Sequence, residues 1–404
     1  MNRALVVIVA GSVMVMLSMG TRHAFGIAQI PITLDLGTGR EVFSLAMAWQ
    51  NIFFGIPIAG ILADRFGART MAVGGGILYA IGILLASMTT TGTMLYITLG
   101  VIIGLALSGT TYVVVLSAVA QVVPAERRTS TFGFITAAGS FGTFALVPLI
   151  QWLVTSFGWR TAFVVISGLV GVMVLLALTF PGKTKDGSQK AKDDGSGTML
   201  EVLKKARSHS GYLLLIAGFF VCGFHVSFIG AHLPAFLADK AIAPGIATLA
   251  FSLIGLFNIF GSSLFGFMGD YYRKKYLLSF LYFARSIVIA LFIFIIPLTS
   301  TTALIFGCAI GFLWLATVPL TSGTVAQIFG ARYLATLYGI VFFSHQVGSF
   351  LGVWLGGRLY DTTGSYDVVW YMGIALGIFA ALVHLPITDS PVKIREEVAA
   401  ATPA

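Results

Sequence analysis

The chain has 404 residues, 57% of them hydrophobic and only 10% charged, with a mean hydropathy of +0.96 and a formal net charge of +9. A soluble domain carries about a quarter charged residues, so this composition excludes a soluble globular fold and describes a chain dissolved in lipid. The two cysteines, Cys222 and Cys308, both fall in apolar runs, and neither a disulfide nor a metal site is expected from them.

A helix needs about 20 mainly apolar residues to cross a bilayer. Twelve such runs follow one another: 4–32, 43–63, 71–88, 94–115, 131–154, 161–180, 212–236, 246–268, 276–298, 302–322, 338–355 and 368–386. Arg3 before the first run gives it the outline of a secretory signal. No small-x-small cleavage site follows, however, and eleven further runs do, so it reads as a span. The expected fold class is therefore an all-α membrane protein of twelve transmembrane helices.

Basic residues fix the expected orientation. The connections on the N-terminal side of the bundle hold Arg65, Arg69, Arg127, Arg128, Arg273, Lys274, Lys275 and Arg332, besides the lysines of the central segment. The opposite side holds only Arg40, Arg160, Lys240 and Arg358. By the positive-inside rule both termini should be cytoplasmic, in an integral multi-pass protein of a bacterial inner membrane. Topology thus accounts for the +9 charge, and no nucleic-acid partner is expected.

Residues 181–210 break the rhythm with "GKTKDGSQKAKDDGSG", too polar to bury a core, and read as a cytoplasmic linker. The expected organisation is a six-helix bundle over 1–180, the linker over 181–210, a second six-helix bundle over 211–390 and a cytoplasmic tail over 391–404. The halves repeat at a fixed offset of 206 residues: Gly60 and Asp64 map to Gly266 and Asp270, the "VAQ" at Val119 to that at Val325, and Gly133 and Gly142 to Gly339 and Gly348. Six spans return the chain to its starting side. The two bundles should therefore be related by an axis along the membrane normal, with a substrate between them near the midplane.

The knot G-x-x-x-D-R-x-G-x-R, made of Gly60, Asp64, Arg65, Gly67 and Arg69, resembles the loop between helices 2 and 3 of the major facilitator superfamily. "GFMGDYYRKK", with Gly266, Asp270 and Arg273, resembles its degenerate copy between helices 8 and 9. The resemblance implies that these loops make charge-relay contacts between helix ends and hold the outward-facing state. "GWRTAF" (Gly158 to Phe163), "AAGSFGTFALVPLIQ" (Ala137 to Gln151) and "HQVGSFLG" (His345 to Gly352) are similar to the monocarboxylate and oxalate/formate carriers of that superfamily. The chain departs from both. Animal monocarboxylate carriers place an Asp and an Arg in helix 8, where this chain has Asn258 and Ser262, and oxalate carriers place a lysine in helix 11, where this chain has His345.

Charge inside the membrane must face a partner or a wet cavity. Every Asp and Glu lies in a loop, a tail or a helix end, and the deep charges are the arginines Arg22 and Arg285. Such a pocket favours anions. Ser18, Arg22, Gly26, Gln29 and Thr33 form one polar stripe at helical spacing, expected to line the cavity, and the Arg22 guanidinium offers a carboxylate two parallel donors. Arg285 lies about ten residues past Lys275, hence about 15 Å into the membrane. It is expected to contact substrate or to pair with Tyr282 or Ser286. His345, His225 and His232 sit within spans and are the candidate proton carriers, while Tyr112 and Trp314 are candidates to close over a small substrate.

Together these readings describe a secondary active transporter of a small organic anion, expected to be a monocarboxylate, working by alternating access with proton symport. The expected substrate contacts are Arg22, Gln29, Tyr112, Arg285 and His345. The alternatives are an organic-anion exchanger and, from other classes, a membrane enzyme or a channel. No H-E-x-x-H, nucleophile motif or metal cluster speaks for an enzyme. No cofactor and no metal are expected. The expected partners are the anion, protons and the lipid bilayer, and the expected oligomeric state is a monomer.

Overall fold

The computed structural model describes residues 3–55, 62, 66–120, 122–123, 128–182, 199–329 and 334–392. Every regular element among them is helical. The first run becomes α1 (Arg3–Ala24), a 3-10 turn (Phe25–Ala28) and α2 (Gln29–Leu36), and the second becomes α3 (Arg40–Gly55). α4 (Ala68–Ser87) follows. The fourth run is α5 (Gly92–Leu95), a π-helical stretch (Tyr96–Ile102), α6 (Ile103–Thr110) and, beyond an extended Thr111, α7 (Tyr112–Ala120). α8 (Arg128–Ala177) holds the fifth and sixth spans, turned over at Gly158.

The second half begins with α9 (Met199–Ser208) and α10 (Ser210–Asp239). It continues through α11 (Pro244–Tyr271), α12 (Lys274–Ala290) with its π-helical end (Leu291–Ile295), α13 (Ser300–Phe312), α14 (Thr317–Phe329), α15 (Leu334–Thr363) and α16 (Asp367–His384). Among the described residues ten helical stretches are long and apolar enough to cross a membrane. One of these, Phe134–Ala177, contains the turn at Gly158 and so supplies two spans. α3, with 16 residues, is the described part of the second run, so each of the twelve expected runs holds a helix.

The 206-residue repeat has a physical counterpart. Gly158 has φ 79° and Gly364, at the same place in the second half, has φ 72°. Both joints between consecutive spans need this left-handed backbone, which glycine adopts without steric cost. Arg69 donates its Nε–H to the Phe180 carbonyl (2.6 Å), and Lys275, its repeat partner, donates to the Ile387 carbonyl (2.9 Å). Each cation satisfies a carbonyl just beyond the last span of its half, where helices leave such groups unpaired. The fourth and tenth spans also break at matching places, at Thr111 and over 313–316.

One expectation needs correction. Of the segment 181–210 anticipated as an unstructured linker, Met199–Ser208 forms α9, with Val202 and Ala206 buried. The apolar residues of "MLEVLKKARS" recur at helical spacing, enough to dock one face, and the polar run was too broad a guide. Residues 183–198 lie outside the described residues.

Small residues let the halves approach closely, as membrane packing requires. A Cβ at Gly26 would lie 2.5 Å from the Gly230 carbonyl of α10, one at Gly255 2.9 Å from the Ser140 carbonyl of α8, and one at Gly55 2.3 Å from the Gln346 side chain of α15. At one end the halves are also locked by charge. Arg40 grips Asp239 through two nitrogens at 2.7 Å, and Arg358 meets Glu41 at 2.9 Å. Asp361 accepts the backbone N–H groups of Arg40 (3.0 Å) and Glu41 (2.7 Å). The N-terminus of α3 is thus capped by a carboxylate from the other half, where its dipole favours negative charge.

Candidate functional site

The site is built where α1 breaks. The chain leaves α-helical geometry after Ala24, just past Arg22 and His23, and in the 3-10 turn that follows Gly26 sits against the α10 backbone. Arg22 donates from Nη2 to Asn51 Oδ1 of α3, and its Nη1 lies 3.5 Å from His23 Nε2. Its guanidinium is 5.2 Å from the centre of the Phe54 ring. Asn51 is fixed in turn by donating to the Met47 carbonyl (2.9 Å). The Nε–H of Arg22 is buried and has no hydrogen-bond partner, and among the described residues no carboxylate reaches the guanidinium.

Tyr79 and Tyr112 are the electrostatic neighbours of Arg22. Tyr112 starts α7 after the extended Thr111, and its hydroxyl packs toward Gly139 of α8. His23 points to the seam between the halves: Nδ1 lies 2.8 Å from Thr143 Oγ1 of α8, and the ring stands edge-on to Phe251 of α11. Next to it, Asn258 of α11 donates to Ser140 Oγ (3.1 Å) and accepts the N–H of Leu315 (3.0 Å), joining α8 to the break in the tenth span.

The stripe expected along the first span does not share one environment. Ser18 is fully buried against Thr110 (3.1 Å), and its carbonyl accepts the Tyr79 hydroxyl, so it belongs to packing within the first half. Gln29 lies beyond the 3-10 turn, near the charged end, where Nε2 donates to Ser44 Oγ (3.2 Å) and lies 3.4 Å from His232 Nδ1. The turn resets the helical phase between Arg22 and Gln29, and a single 3.6-residue period cannot describe both sides of it.

Arg285 has a different neighbourhood. Nε and Nη2 donate to the Leu313 carbonyl (2.9 and 2.6 Å), Nη2 also to the Trp314 carbonyl, and Nη1 lies 3.5 Å from Cys222 Sγ. The Tyr282 ring sits 5.3 Å away, and Arg285 itself is 1% exposed. Leu313 and Trp314 lie just past the end of α13, whose last carbonyls have no intrahelical donors. Ser286 bonds instead to the Tyr282 and Ile374 carbonyls (3.2 Å each).

His345 stacks on Phe342 (ring centres 5.5 Å apart, 5° between planes), and Phe342 meets Phe54 edge-on at 6.0 Å. Two rings thus separate His345 from Arg22. His345 Nδ1 lies 3.4 Å from Ser349 Oγ. His225 Nε2 bonds the Gly373 carbonyl (2.7 Å), and His232 Nε2 bonds the Val353 carbonyl (2.8 Å), so each of these nitrogens carries the proton. Trp314 is buried beside the Arg285 cluster.

Of the loop residues expected to gate the cycle, Gly60, Asp64 and Arg65 lie outside the described residues. Gly67 precedes α4, and Arg69 holds the Phe180 carbonyl. Gly266 lies near Pro319. Asp270 lines a cleft of about 440 Å³ with Arg273, Lys274 and Gln327, beside which Arg273 pairs with Asp389 at 2.7 Å. Among the described residues no cluster of His, Cys, Asp and Glu could hold a metal ion.

Residues 10–353 match the sequence profile of the Major Facilitator Superfamily. The chain belongs to that superfamily. Its relatives include monocarboxylate transporter 13 of Rattus norvegicus, 27% identical over 352 residues (85% of this chain, 79% of the relative), and monocarboxylate transporter 12 of Mus musculus, 26% identical over 381 residues (84% and 77%). An uncharacterized MFS-type transporter, YcxA, of Bacillus subtilis is 25% identical over 384 residues (91% of each). The fold is shared with a D-xylose-proton symporter (TM-score 0.75, 16% identity, 95% of this chain and 97% of that one). It is shared also with a bacterial homolog of the human lysosomal transporter Spinster in an inward-facing, unoccupied conformation (TM-score 0.71, 16% identity, 95% of each). The protein is a multi-pass membrane transporter and not an enzyme.

Sequence reasoning missed Asn51 and the carbonyl partners of Arg285. The adjacent amides in "WQN" were the available signal for Asn51, since polar groups within a span are costly unless they bond something. Nothing in "FLWLAT" itself marks a helix break, because it contains neither glycine nor proline.

Proposed function

We propose that the protein carries a small organic anion, a monocarboxylate, across the membrane by alternating access, with a proton moving alongside it. The observation that carries this is Arg22, a cation at the seam of the halves with a buried Nε–H that no described residue satisfies. A carboxylate arriving there would take the open Nε–H edge and a neighbouring Nη–H in a two-pronged contact. Asn51 holds the guanidinium in place, and His23, Thr143 and Tyr112 surround it with further donors. The monocarboxylate transporters among the relatives support the substrate class.

Each nitrogen of Arg285 already has a partner in its own half, and we assign it the broken tenth span. Termini on the cytoplasmic side, as the distribution of basic residues expects, would make the Arg40 end external and closed in this conformation. The loops around Asp64 and Asp270 are then the gating elements of the opposite end. With all described carboxylates at helix ends, His345 is the proposed proton carrier.

The deciding experiment is ligand-induced thermal stabilisation of purified protein with a panel of monocarboxylates, repeated for Arg22→Ala and Arg22→Lys. The alanine variant should stay folded and lose the stabilisation, and the lysine variant should keep part of it. A folded alanine variant with wild-type affinity would overturn the reading. In proteoliposomes, anion uptake should acidify the interior, and His345→Gln should keep anion binding while losing that acidification. Uptake without proton movement that requires an internal counter-anion would make the protein an exchanger.

A further inference from the structure

The Arg40 end contains a hydrogen-bonded chain that reaches from the surface into the seam. Asp239 holds Arg40, Arg40 Nη1 donates to the Tyr366 hydroxyl (2.9 Å), and that hydroxyl lies 3.3 Å from His232 Nδ1. On the other side of the same nitrogen stands Gln29 Nε2 (3.4 Å), which also donates to Ser44 Oγ. His232 belongs to the second half, Gln29, Ser44 and Arg40 to the first, and the imidazole is 1% exposed.

The donors and acceptors assign its state in this conformation. Nε2 faces a carbonyl, which can only accept, so Nε2 carries a hydrogen. Nδ1 faces two donors: the Gln29 amide N–H, and a Tyr366 hydroxyl whose oxygen already accepts from Arg40 and whose hydrogen is free to point at Nδ1. With both of those hydrogens aimed at it, Nδ1 is a bare acceptor and the imidazole is neutral.

We propose that His232 is a proton-sensitive latch, closing the Arg40 end when neutral and releasing it when protonated. A hydrogen on Nδ1 would meet two donors and put a second positive charge beside Arg40, in a site with little water to screen them. Turning the Gln29 amide over would offer its oxygen, which is buried and unpartnered. That turn would break the bond to Ser44 Oγ, whose own hydrogen is committed to the Arg40 carbonyl (2.7 Å). Parting the halves removes the conflict, because Gln29 and Arg40 then leave the imidazole. Among the described residues, the groups facing His232 are Gln29 of the first span, Arg40 and Ser44 of α3, the Val353 carbonyl of α15, and Tyr366 ahead of α16. Its own helix ends in Asp239, engaged by Arg40.

The latch goes beyond the transport reading and needs no substrate for its test. Spin labels at Leu34→Cys and Thr363→Cys, exposed positions on either side of the locked end, would be placed in full-length protein carrying Cys308→Ser and held in phosphatidylcholine nanodiscs. Distances between them would be measured from pH 8 to pH 5 without ligand. The ratio of separated to closed populations should rise about tenfold on acidification in an otherwise wild-type chain and stay within about twofold in His232→Gln. Tyr366→Phe removes one opposing donor and the link to Arg40, so its response should shrink to about threefold. A wild-type ratio that ignores pH overturns the proposal. So does a His232→Gln response equal to wild type, and so does a full response in Tyr366→Phe.

Discussion

Among the described residues two arginines lie deep in the spans, Arg285 buried and Arg22 part-buried, and they are solved differently. Arg285 spends its nitrogens on the Leu313 and Trp314 carbonyls and the Cys222 thiol, all in its own half. Arg22 is held by one side-chain amide from α3 and keeps a buried Nε–H without a partner. The first arrangement is complete without a ligand and the second is not. Charge and depth alone do not mark a binding residue; the inventory of satisfied donors does.

Removing Arg285 should break that contrast from the structural side and give the largest effect. Arg285→Met keeps the apolar stem but leaves the carbonyls past α13 buried and unpaired, at about 1–3 kcal/mol for each group. We expect a loss of about 3 kcal/mol or more in stability, read as a large fall in thermal unfolding temperature and poor recovery of folded protein. An Arg285→Met variant that folds as well as wild type but fails to bind anion would move Arg285 into the substrate site.

Arg22 should behave in the opposite way. In Arg22→Ala the Asn51 oxygen loses one donor but no helix end is exposed, so stability should change by less than about 1 kcal/mol. Affinity for the anion should fall about 100-fold, equivalent to about 2.7 kcal/mol, and about tenfold in Arg22→Lys. Binding isotherms of the two variants beside their unfolding curves would separate the roles.

These differences explain how far the sequence could be read. The twelve spans and the 206-residue repeat were legible because hydropathy and motif spacing are properties of the chain itself. The matched glycines Gly158 and Gly364 and the matched cations Arg69 and Lys275 are the same repeat seen in three dimensions. Arg22 was legible as a charge with no carboxylate in reach. Arg285 was legible as buried, but its partners are main-chain carbonyls 28 and 29 residues away at a break that no residue type announces. The lock at the Arg40 end was invisible for a plainer reason: its partners lie 199 to 321 residues apart, and only the fold brings them together.

That lock carries the comparison to groups satisfied in one conformation only. Asp361 caps the α3 N–H groups of Arg40 and Glu41 while the halves touch, and it cannot do so once they part. Asp361→Ala should shift the balance toward the separated form by about 1 kcal/mol, the usual worth of such a cap, or about fivefold in population. Spin-label distances across that end would register the shift at fixed pH. No change would mean that Arg40 with Asp239 and Arg358 with Glu41 hold the end without the cap.

The smallest effect belongs to the pair at the opposite end, where water can replace either partner. The hydrogen bond from Arg273 holds the Asp389 carboxyl below the usual carboxylate value. A carboxyl lowered by folding adds stability that is fully present above its unfolded value, near 4, and is lost as pH falls through its folded value. The wild-type unfolding temperature should therefore drop below about pH 4 by slightly more than that of Asp389→Asn, and the two should differ by a constant amount above about pH 5. Arg273 is exposed, so salt should narrow the difference further. A difference that instead grows toward neutral pH would place the titrating partner elsewhere.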